Sequence, residues 1–431
     1  MRAFILAGGK GSRTLDPSQP KVLTQITEMN LLDLQIYELA SINEITEIIL
    51  LLGHGSSKVI SHVQKSLLDQ SYLKPVSYIV EKESLGSAGS LRQILAQAPD
   101  EICFVAFGDI VPRGGIIESF HIWRSKGMTK ENYLFVHPNN HPGDSDCVLR
   151  SFQDEVAEKI ISNLETSYFE KPNLSPVGFF FLNSSDIDLW PKNKKIDLVR
   201  DVITSLIQSG KKIWAPSLLR RSIDIGTPER LINFKKTITK QTMYINFCIF
   251  IDRDDTLIYD PNPIKKSITD LVLIEGVVKF LEYANNIGIP VVCISNQPSV
   301  AKGQHSILEI ESQNQQIQHL LTRNNVYIDR WVYCIHHPEI GFDSEILPLK
   351  IDCDCRKPKD GMIKIIKLQH SIDITKSVIV GDSFRDIEIV ADLALRIHYF
   401  PKGTCGILKH HICVRNFQDA KSVLADYISG E

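Results

Sequence analysis

FCIFIDRDDTL, residues 247–257, decides the fold of the second half of this chain. A short apolar run, Phe247–Ile251, is followed at once by Asp252, Asp254 and Asp255. Such a run without polar alternation reads as a strand buried on both faces, the kind found in parallel sheets covered by helices. Ligands of those sheets sit outside the carboxyl ends of the strands. Asp252 and Asp254 therefore emerge where a ligand would lie. Two more apolar runs end in the same way: VVCISN delivers Ser295 and Asn296, and VIVGDSFRD delivers Asp382 and Asp386. Between them CRKPKDGM carries Arg356 and Lys357.

Together these pieces describe phosphoryl-transfer chemistry. Asp252 can attack phosphorus and form an aspartyl phosphate. Asp254, two residues on, can protonate the leaving hydroxyl and later deprotonate water. Magnesium held by Asp252, Asp382 and the Asp254 carbonyl would offset repulsion between carboxylate and phosphate. Ser295 and Lys357 would hold the phosphoryl oxygens as their charge redistributes. Order and wording resemble the haloacid-dehalogenase-like phosphatases over residues 245–431.

A second cluster sits just ahead of Arg356. Cys334-Ile-His336 and Cys353-Asp-Cys355 give C-x-H-x16-C-x-C, three thiolates and one imidazole. That donor set suits tetrahedral zinc in a structural role, anchoring the neighbouring Arg356-Lys357 pair. With it, the motifs DRDDTL, SNQ, CIHHP, CDCRKPKDGM and VGDSFRD resemble the heptose bisphosphate phosphatase and histidinol phosphatase subfamily. The resemblance implies zinc at Cys334, His336, Cys353 and Cys355, and substrate contacts from Arg356 and Asn296. Asp255 stands where the family commonly has glycine, and SNQPSVAKG replaces the usual asparagine-glutamine-serine-glycine run.

The chain opens on another apolar strand and a glycine loop, FILAGGKGSR. Glycines let the backbone approach phosphate, and successive amides can cradle its oxygens. Leu6, Gly8, Gly9 and Gly11 are the nucleotide-binding candidates, with Arg13 and Lys21 supplying charge beside a triphosphate. Asp109 follows ICFVAF, and Asp224 lies in SIDIGTPERL; two carboxylates at strand ends can hold magnesium. LGSAGSL adds Gly86, and FEKP adds Glu170 and Lys171. This series resembles the sugar-1-phosphate nucleotidyltransferases over residues 1–235. The resemblance implies in-line attack of a sugar phosphate on the α-phosphorus of a nucleoside triphosphate, with Glu170 and Lys171 meeting the sugar phosphate. The TLDPSQ loop (14–19) is about two residues shorter than is common there. In HPNNHPGDSD (137–146), Asp144 and Asp146 are candidates for binding sugar hydroxyls, and His410 and His411 read as solvated.

Strands are expected at Ala3–Leu6, Glu47–Leu52, Val76–Val80, Ile102–Phe107, Leu134–Val136 and Gly178–Leu182, then at Phe247–Ile251, Pro290–Ile294, Arg330–Tyr333 and Val378–Val380. Helices at Ser56–Leu68 and Ala88–Ala96 alternate with them, the signature of α/β layering. The expected fold is two doubly wound, Rossmann-like three-layer domains in tandem. Residues 1–242 form the nucleotidyltransferase domain, and 243–431 form the haloacid-dehalogenase-like domain with its zinc-binding loop. A polar, lysine-rich stretch at 230–242 reads as a terminal helix and linker.

Composition agrees with soluble enzymes: 431 residues, 43% hydrophobic, 23% charged, net charge −3. That balance points away from a general nucleic-acid binder. The first apolar run is too short for a signal peptide, and no run approaches the roughly 20 residues of a membrane span. A cytoplasmic location is the expectation, with homo-oligomerisation left open. Of nine cysteines, Cys103, Cys147, Cys248, Cys293 and Cys413 read as buried thiols and Cys405 lies in a loop.

The two resemblances join as consecutive steps. A phosphatase acting on D-glycero-D-manno-heptose 1,7-bisphosphate leaves a sugar 1-phosphate, which the transferase would couple to a nucleotide, with GTP the first choice and GDP-heptose, a glycan precursor, the product. Three alternatives stand beside it: a histidinol-phosphate phosphatase, an active phosphatase with a sugar-nucleotide-sensing first domain, and a non-enzymatic assembly module.

Overall fold

The computed structural model describes residues 1–9, 19–69, 72–98, 100–139, 145–151, 155–162, 173–220, 222–238, 243–259, 271–389, 391–402 and 411–430. Gly11, Arg13, Asp144, Glu170, Lys171, Cys405 and His410 lie outside the described residues. The chain forms two compact units, one holding the bulk of the chain up to Tyr244 and the other the chain from Ile245.

In the first unit the strands are β1 (Arg2–Ala7), β2 (Glu47–Leu52), β3 (Val76–Val80), β4 (Ile102–Phe107), β5 (Ile110–Val111) and β6 (Asn132–Pro138). They continue with β7 (Cys147–Arg150), β8 (Ala157–Ile161), β9 (Leu174–Asn183), β10 (Ile213–Trp214) and β11 (Ile223–Asp224). Seven of them make one sheet in the order β10-β6-β9-β4-β1-β2-β3. Strands β3, β2, β1 and β4 pair in parallel, whereas β9 runs antiparallel to β4. The sheet is therefore mixed, where the sequence suggested a parallel one. An antiparallel neighbour escapes the helical crossover that a parallel strand requires, and no apolar pattern reports that choice.

Both faces of this sheet are covered. Ala3, Ile5, Ile48, Leu50 and Phe104 point into one apolar cluster, and Phe4, Ile49, Cys103 and Val105 into another. Successive side chains of a strand face opposite ways, so double coverage demands the unbroken apolar runs seen in the sequence. Helix α1 (Leu31–Ala40) begins at Asn30, whose side chain accepts the Asp33 amide and caps one orphan donor. Helices α2 (Ser56–Leu68), α3 (Gly89–Leu95) and α4 (Gly115–Ser125) follow the strands that feed them.

The second unit holds β12 (Ile249–Ile251), β13 (Ile258–Tyr259), β14 (Val272–Leu273), β15 (Val291–Asn296), β16 (Arg330–Cys334), β17 (Val378–Gly381), β18 (Leu395–Tyr399) and β19 (Ile412–Val414). Six form a sheet, β16-β15-β12-β17-β18-β19, in which every pairing is parallel. Strands β18 and β19 were not expected; they are short and broken by Arg396, His398 and Cys413. Ile249, Ile251, Val291, Cys293, Val378 and Val380 pack into one cluster with helices Val277–Ile287 and Phe417–Ser429.

Cys103, Cys147, Cys248 and Cys293 are buried and outside any disulfide. Cys413 corrects the expectation: it is exposed and disulfide-bonded. It lies on β19, the edge strand of this sheet among the described residues. No helix among the described residues is long and apolar enough to cross a membrane.

One buried acid in the first unit tests the packing. Glu38 of α1 is fully buried and accepts the Gly114 amide at 2.5 Å, at the N-terminus of α4. Burial raises its carboxyl to about 7, against the opposing pull of the Gly114 amide and Arg220. The folded chain thus holds this proton more tightly than the unfolded one, so the contribution of Glu38 to stability is full below about pH 4.5 and is lost as pH rises through about 7. Glu38→Gln should flatten that loss, by up to roughly 3 kcal/mol at neutral pH. Urea unfolding of both chains between pH 5 and pH 8 measures it; parallel pH profiles would refute the assignment.

Candidate functional site

Three neighbouring strands of the second unit, β15, β12 and β17, converge on one cleft of about 410 Å³. Register sets the level: Ile251 pairs with Cys293 on one side and with Val380 on the other, and the Asp252 amide donates to the Val380 carbonyl at 3.0 Å. Asp252 and Asp382 therefore follow their strands, and Ser295 nears the end of its own, at neighbouring positions along one edge. All three line the cleft, with Asp254, Asn296, Arg356, Lys357 and Asp386.

Lys357 is the centre of the arrangement. Its Nζ is 2.5 Å from Asp252 Oδ1 and 2.5 Å from Asp386 Oδ1, and it donates to the Ile294 carbonyl at 2.9 Å. Asn296 pins its backbone from both sides, accepting the Lys357 amide at 3.0 Å and donating to its carbonyl at 3.1 Å. Burial pulls the ammonium down, but Asp252 and Asp386 outweigh it and hold its pKa raised. Gly381 permits the approach of Asp386, because a Cβ there would sit 2.4 Å from the Asp386 Cβ.

Asp252, Asp382 and Asp386 bring carboxylate oxygens within 4.8 Å of one another. Burial and the charge of Asp386 hold Asp252 well above the usual carboxylate range, Lys357 opposing. Burial, Asp386 and Asp255 raise Asp382 to about 6. Three carboxylates against one ammonium leave excess negative charge, and that is a donor set suited to a hard divalent cation. The sequence reading delivers Asp386 beside Asp382 without giving it a task; its place among these carboxylates follows from the turn after Gly381. Asp254 lines the same cleft but stands apart from this trio: its carboxylate accepts Gln297 Nε2 at 2.7 Å and Arg253 Nε at 3.1 Å. Arg253 is held in turn by Asn314 at 3.0 Å. Gln297 stood in the SNQ motif, and only folding shows its partner. Asp255 has φ +57°, left-handed backbone that glycine adopts freely and aspartate tolerates.

The cysteine cluster closes beneath Arg356. Cys334 Sγ lies 3.5 Å from Cys353 Sγ, and Cys355 Sγ lies 3.2 Å from Cys353 Sγ and 3.3 Å from His336 Nδ1. All four donor atoms fall within 4.8 Å. A tetrahedral ion with ~2.3 Å metal–sulfur arms needs edges of roughly 3.8 Å, so the set fits a thiophilic metal with little movement. Arg356 donates to the His336 carbonyl at 3.4 Å, which ties the cluster to the cleft. His337 is turned away, buried against Phe342.

In the first unit Leu6, Gly8, Gly9, Lys21, Gly86 and Asp109 line a cleft of about 370 Å³. A Cβ on Gly9 would meet nothing within 4 Å, so packing does not demand glycine there. Gly86 is different: its φ is +82° and a Cβ would sit 2.4 Å from the Ile196 carbonyl. Lys21 Nζ is 3.5 Å from Asp109 Oδ2. Strand β11 pairs with β5, and the Ile225 amide donates to the Asp109 carbonyl at 3.2 Å, which brings Asp224 beside Asp109. Burial raises the Asp109 carboxyl, Asp224 raises it further and Lys21 opposes both. Asp224 accepts the Gly226 amide at 2.6 Å and pairs with Arg230. Glu81, at the end of β3, also lines this cleft and was missed in the sequence. Asp146 does not reach it; it pairs with Arg200 at 2.9 Å.

Comparison with known proteins places both units. Residues 3–121 match the family of MobA-like NTP transferase domains, and residues 247–396 match the polynucleotide kinase 3 phosphatase family. The D-glycero-beta-D-manno-heptose-1,7-bisphosphate 7-phosphatase of Haemophilus influenzae is 33% identical over 144 residues, 33% of this chain and 75% of that protein. The enzyme of the same name from Escherichia coli K12 is 29% identical over 140 residues, 32% of this chain and 71% of its own. Among solved structures, a HAD-like phosphatase from Mesorhizobium loti is 26% identical and covers 43% of this chain and 87% of its own, with a TM-score of 0.39. HddC from Yersinia pseudotuberculosis is 20% identical and covers 55% and 98%, with a TM-score of 0.43.

The protein is thus a two-unit α/β enzyme, a nucleotidyltransferase domain followed by a phosphatase domain. Through its second unit the chain belongs to the family of the D-glycero-beta-D-manno-heptose-1,7-bisphosphate 7-phosphatases.

The position of Lys357 depends on Asn296. Asn296→Ala should lower phosphatase kcat by roughly 10- to 100-fold while KM changes less, because the reacting groups lose alignment. Steady-state kinetics with a phosphomonoester substrate decide it, and an unchanged kcat would refute the positioning role.

Proposed function

We propose that residues 243–431 remove one phosphate from a heptose 1,7-bisphosphate and that residues 1–242 couple the resulting heptose 1-phosphate to a nucleotide. The observation that carries this reading is the 410 Å³ cleft itself. At its floor are Asp252, Lys357 and Asp386; at other points on its lining are Lys302, Arg356 and Arg385, cations enough for a second phosphate. A substrate with two phosphates suits a cleft that holds further cations besides Lys357, and the curated relatives are named for such a sugar.

In the phosphatase, Asp252 attacks phosphorus and the sugar oxygen leaves with a proton from Asp254. Gln297 and Arg253 keep that acid turned toward the cleft. Water, deprotonated by Asp254, then cleaves the aspartyl phosphate. Lys357 and Ser295 hold the phosphoryl oxygens throughout. Magnesium at Asp252, Asp382, Asp386 and the Asp254 carbonyl would supply the neutralising charge that lets one anion approach another. Zinc at Cys334, His336, Cys353 and Cys355 would brace the segment that presents Arg356 and Lys357.

In the transferase, Gly8, Gly9 and Gly11 receive the triphosphate, and Lys21 and Arg13 meet the charge that grows on the α-phosphate and the leaving pyrophosphate. Magnesium would be held by Asp109 and Asp224, Glu170 and Lys171 would bind the sugar phosphate, and Gly86 would lie near the nucleotide or sugar. Glu81 favours GTP. Its two carboxylate oxygens match the adjacent N1–H and 2-amino donors of guanine, a pair no other common base presents. Both reactions draw on cytoplasmic metabolites, so the cytoplasm is the proposed location.

Incubation with each anomer of heptose 1,7-bisphosphate, magnesium and one nucleoside triphosphate should release phosphate and then pyrophosphate, the latter with GTP. Asp252→Asn should abolish phosphate release yet leave pyrophosphate release from supplied heptose 1-phosphate intact. Phosphate without pyrophosphate under every nucleotide would sink the transferase half. Hydrolysis of histidinol phosphate in place of the sugar bisphosphate would sink the substrate. Glu81→Gln should reduce kcat/KM for GTP by roughly 10- to 100-fold, the worth of one bidentate pair. Equal efficiency of the two proteins with GTP would exclude base reading by Glu81.

A further inference from the structure

His398 on β18 and Cys413 on β19 are register partners across a parallel pair, and His411 precedes β19 by one residue. Each offers a donor atom, and the three atoms lie within 4.8 Å of one another. Cys413 Sγ is 3.2 Å from His411 Nε2, and the two imidazole rings are 5.6 Å apart. The sequence reading treated His411 as solvated and Cys413 as a core thiol. Neither description survives the pairing of β18 with β19, which gathers them around buried His398.

A second feature points to a ligand. His398 Nε2 lies 2.9 Å from the main-chain carbonyl of Asp382. A carbonyl only accepts, so Nε2 carries the hydrogen and Nδ1 keeps its lone pair. Imidazoles that bind metals are held in this way, their other N–H given to a carbonyl or carboxylate that fixes tautomer and ring. Two imidazoles and a thiolate form a donor set for zinc or a similar thiophilic ion, not for magnesium.

We propose that His398, His411 and Cys413 form a second thiophilic metal site, open when Cys413 is reduced. Cys413 is disulfide-bonded in this structure, and a disulfide sulfur is not a thiolate, so the bond and the metal exclude each other. A small dithiol opens the site: its thiolate attacks the disulfide, the S–S bond breaks, and the reductant leaves as its own disulfide. Two protein thiols result, the two electrons and two protons having come from the dithiol. The Cys413 thiol then yields its proton to solvent as the metal–sulfur bond forms. A bound ion fixes the His398 ring, and the ring holds the Asp382 carbonyl. The site thereby steadies the turn that presents Asp382 to the phosphatase cleft.

Metal counting tests this on the full chain. Protein reduced with a dithiol under argon, loaded with excess zinc and freed of unbound ion should carry two zinc ions by elemental analysis. One belongs to Cys334, His336, Cys353 and Cys355, a reading on which this count partly rests. His411→Ala and Cys413→Ser should each carry one, and His411→Cys, which replaces one donor by another, should return to two. Cys353→Ser disables the first cluster and should carry one, lost again when Cys413→Ser is added. A wild-type count of one that falls to zero in Cys353→Ser overturns the proposal and leaves the first cluster intact. Two ions retained in both His411→Ala and Cys413→Ser overturn it as well. A wild-type count of one that survives Cys353→Ser but not Cys413→Ser supports the second site and overturns the first.

Discussion

The phosphatase cleft depends on one buried ammonium. Lys357 stands 2.5 Å from both Asp252 and Asp386, nearly shut off from solvent. Removing one partner of such a pair leaves an uncompensated buried charge, at a cost of about 3–5 kcal/mol. Three carboxylates gather at this strand edge, more negative charge than one lysine balances. The resulting excess favours protonation of Asp252 and Asp382 in the chain alone and favours a divalent cation when one is supplied. The same lysine therefore holds the site together and leaves it short of positive charge.

Its placement is over-determined. Asn296 bonds both polar groups of the Lys357 backbone, and Ile294 accepts from its side chain. Arg356, the preceding residue, is tied to the His336 carbonyl and so to the cysteine cluster. A flexible four-carbon stem would otherwise place its charge loosely. The surrounding bonds convert it into a fixed one, and fixed charge is what stabilises a transferring phosphoryl group without reorganisation.

The cleft of the first unit is built differently. Among its described residues the glycine-lined cleft holds Lys21, and a Cβ on Gly9 would meet nothing within 4 Å. Its acids, Asp109 and Asp224, come from strands β4 and β11 and meet through the small β5–β11 pair. Lys21 partly offsets them, so the carboxylate pair is less crowded than the trio in the second unit. Two clefts of different construction thus share one chain, one lined by glycines and one centred on a buried ion cluster.

Much of this was legible beforehand. Glu47–Leu52, Val76–Val80 and Ile102–Phe107 form strands over the stretches anticipated, because doubly covered strands must be continuously apolar. Asp252, Ser295, Lys357 and Asp382 could be read as one set, since residues following buried strands of a parallel sheet share one edge. Partners were not legible. Asp386 joins the carboxylates only because Gly381 lets a turn fold back; Gln297, after β15, finds Asp254, after β12; Glu81 faces the glycine loop from a different strand. The direction of β9 and the existence of β18 and β19 also escaped, as did the meeting of His398 with His411 and Cys413. Periodicity along a chain records which residues must avoid water, and that alone determined the layers and the edges where acids emerge. Which side chains touch depends on strand order and on turns, interactions between residues far apart in sequence, and only the tertiary structure decided those.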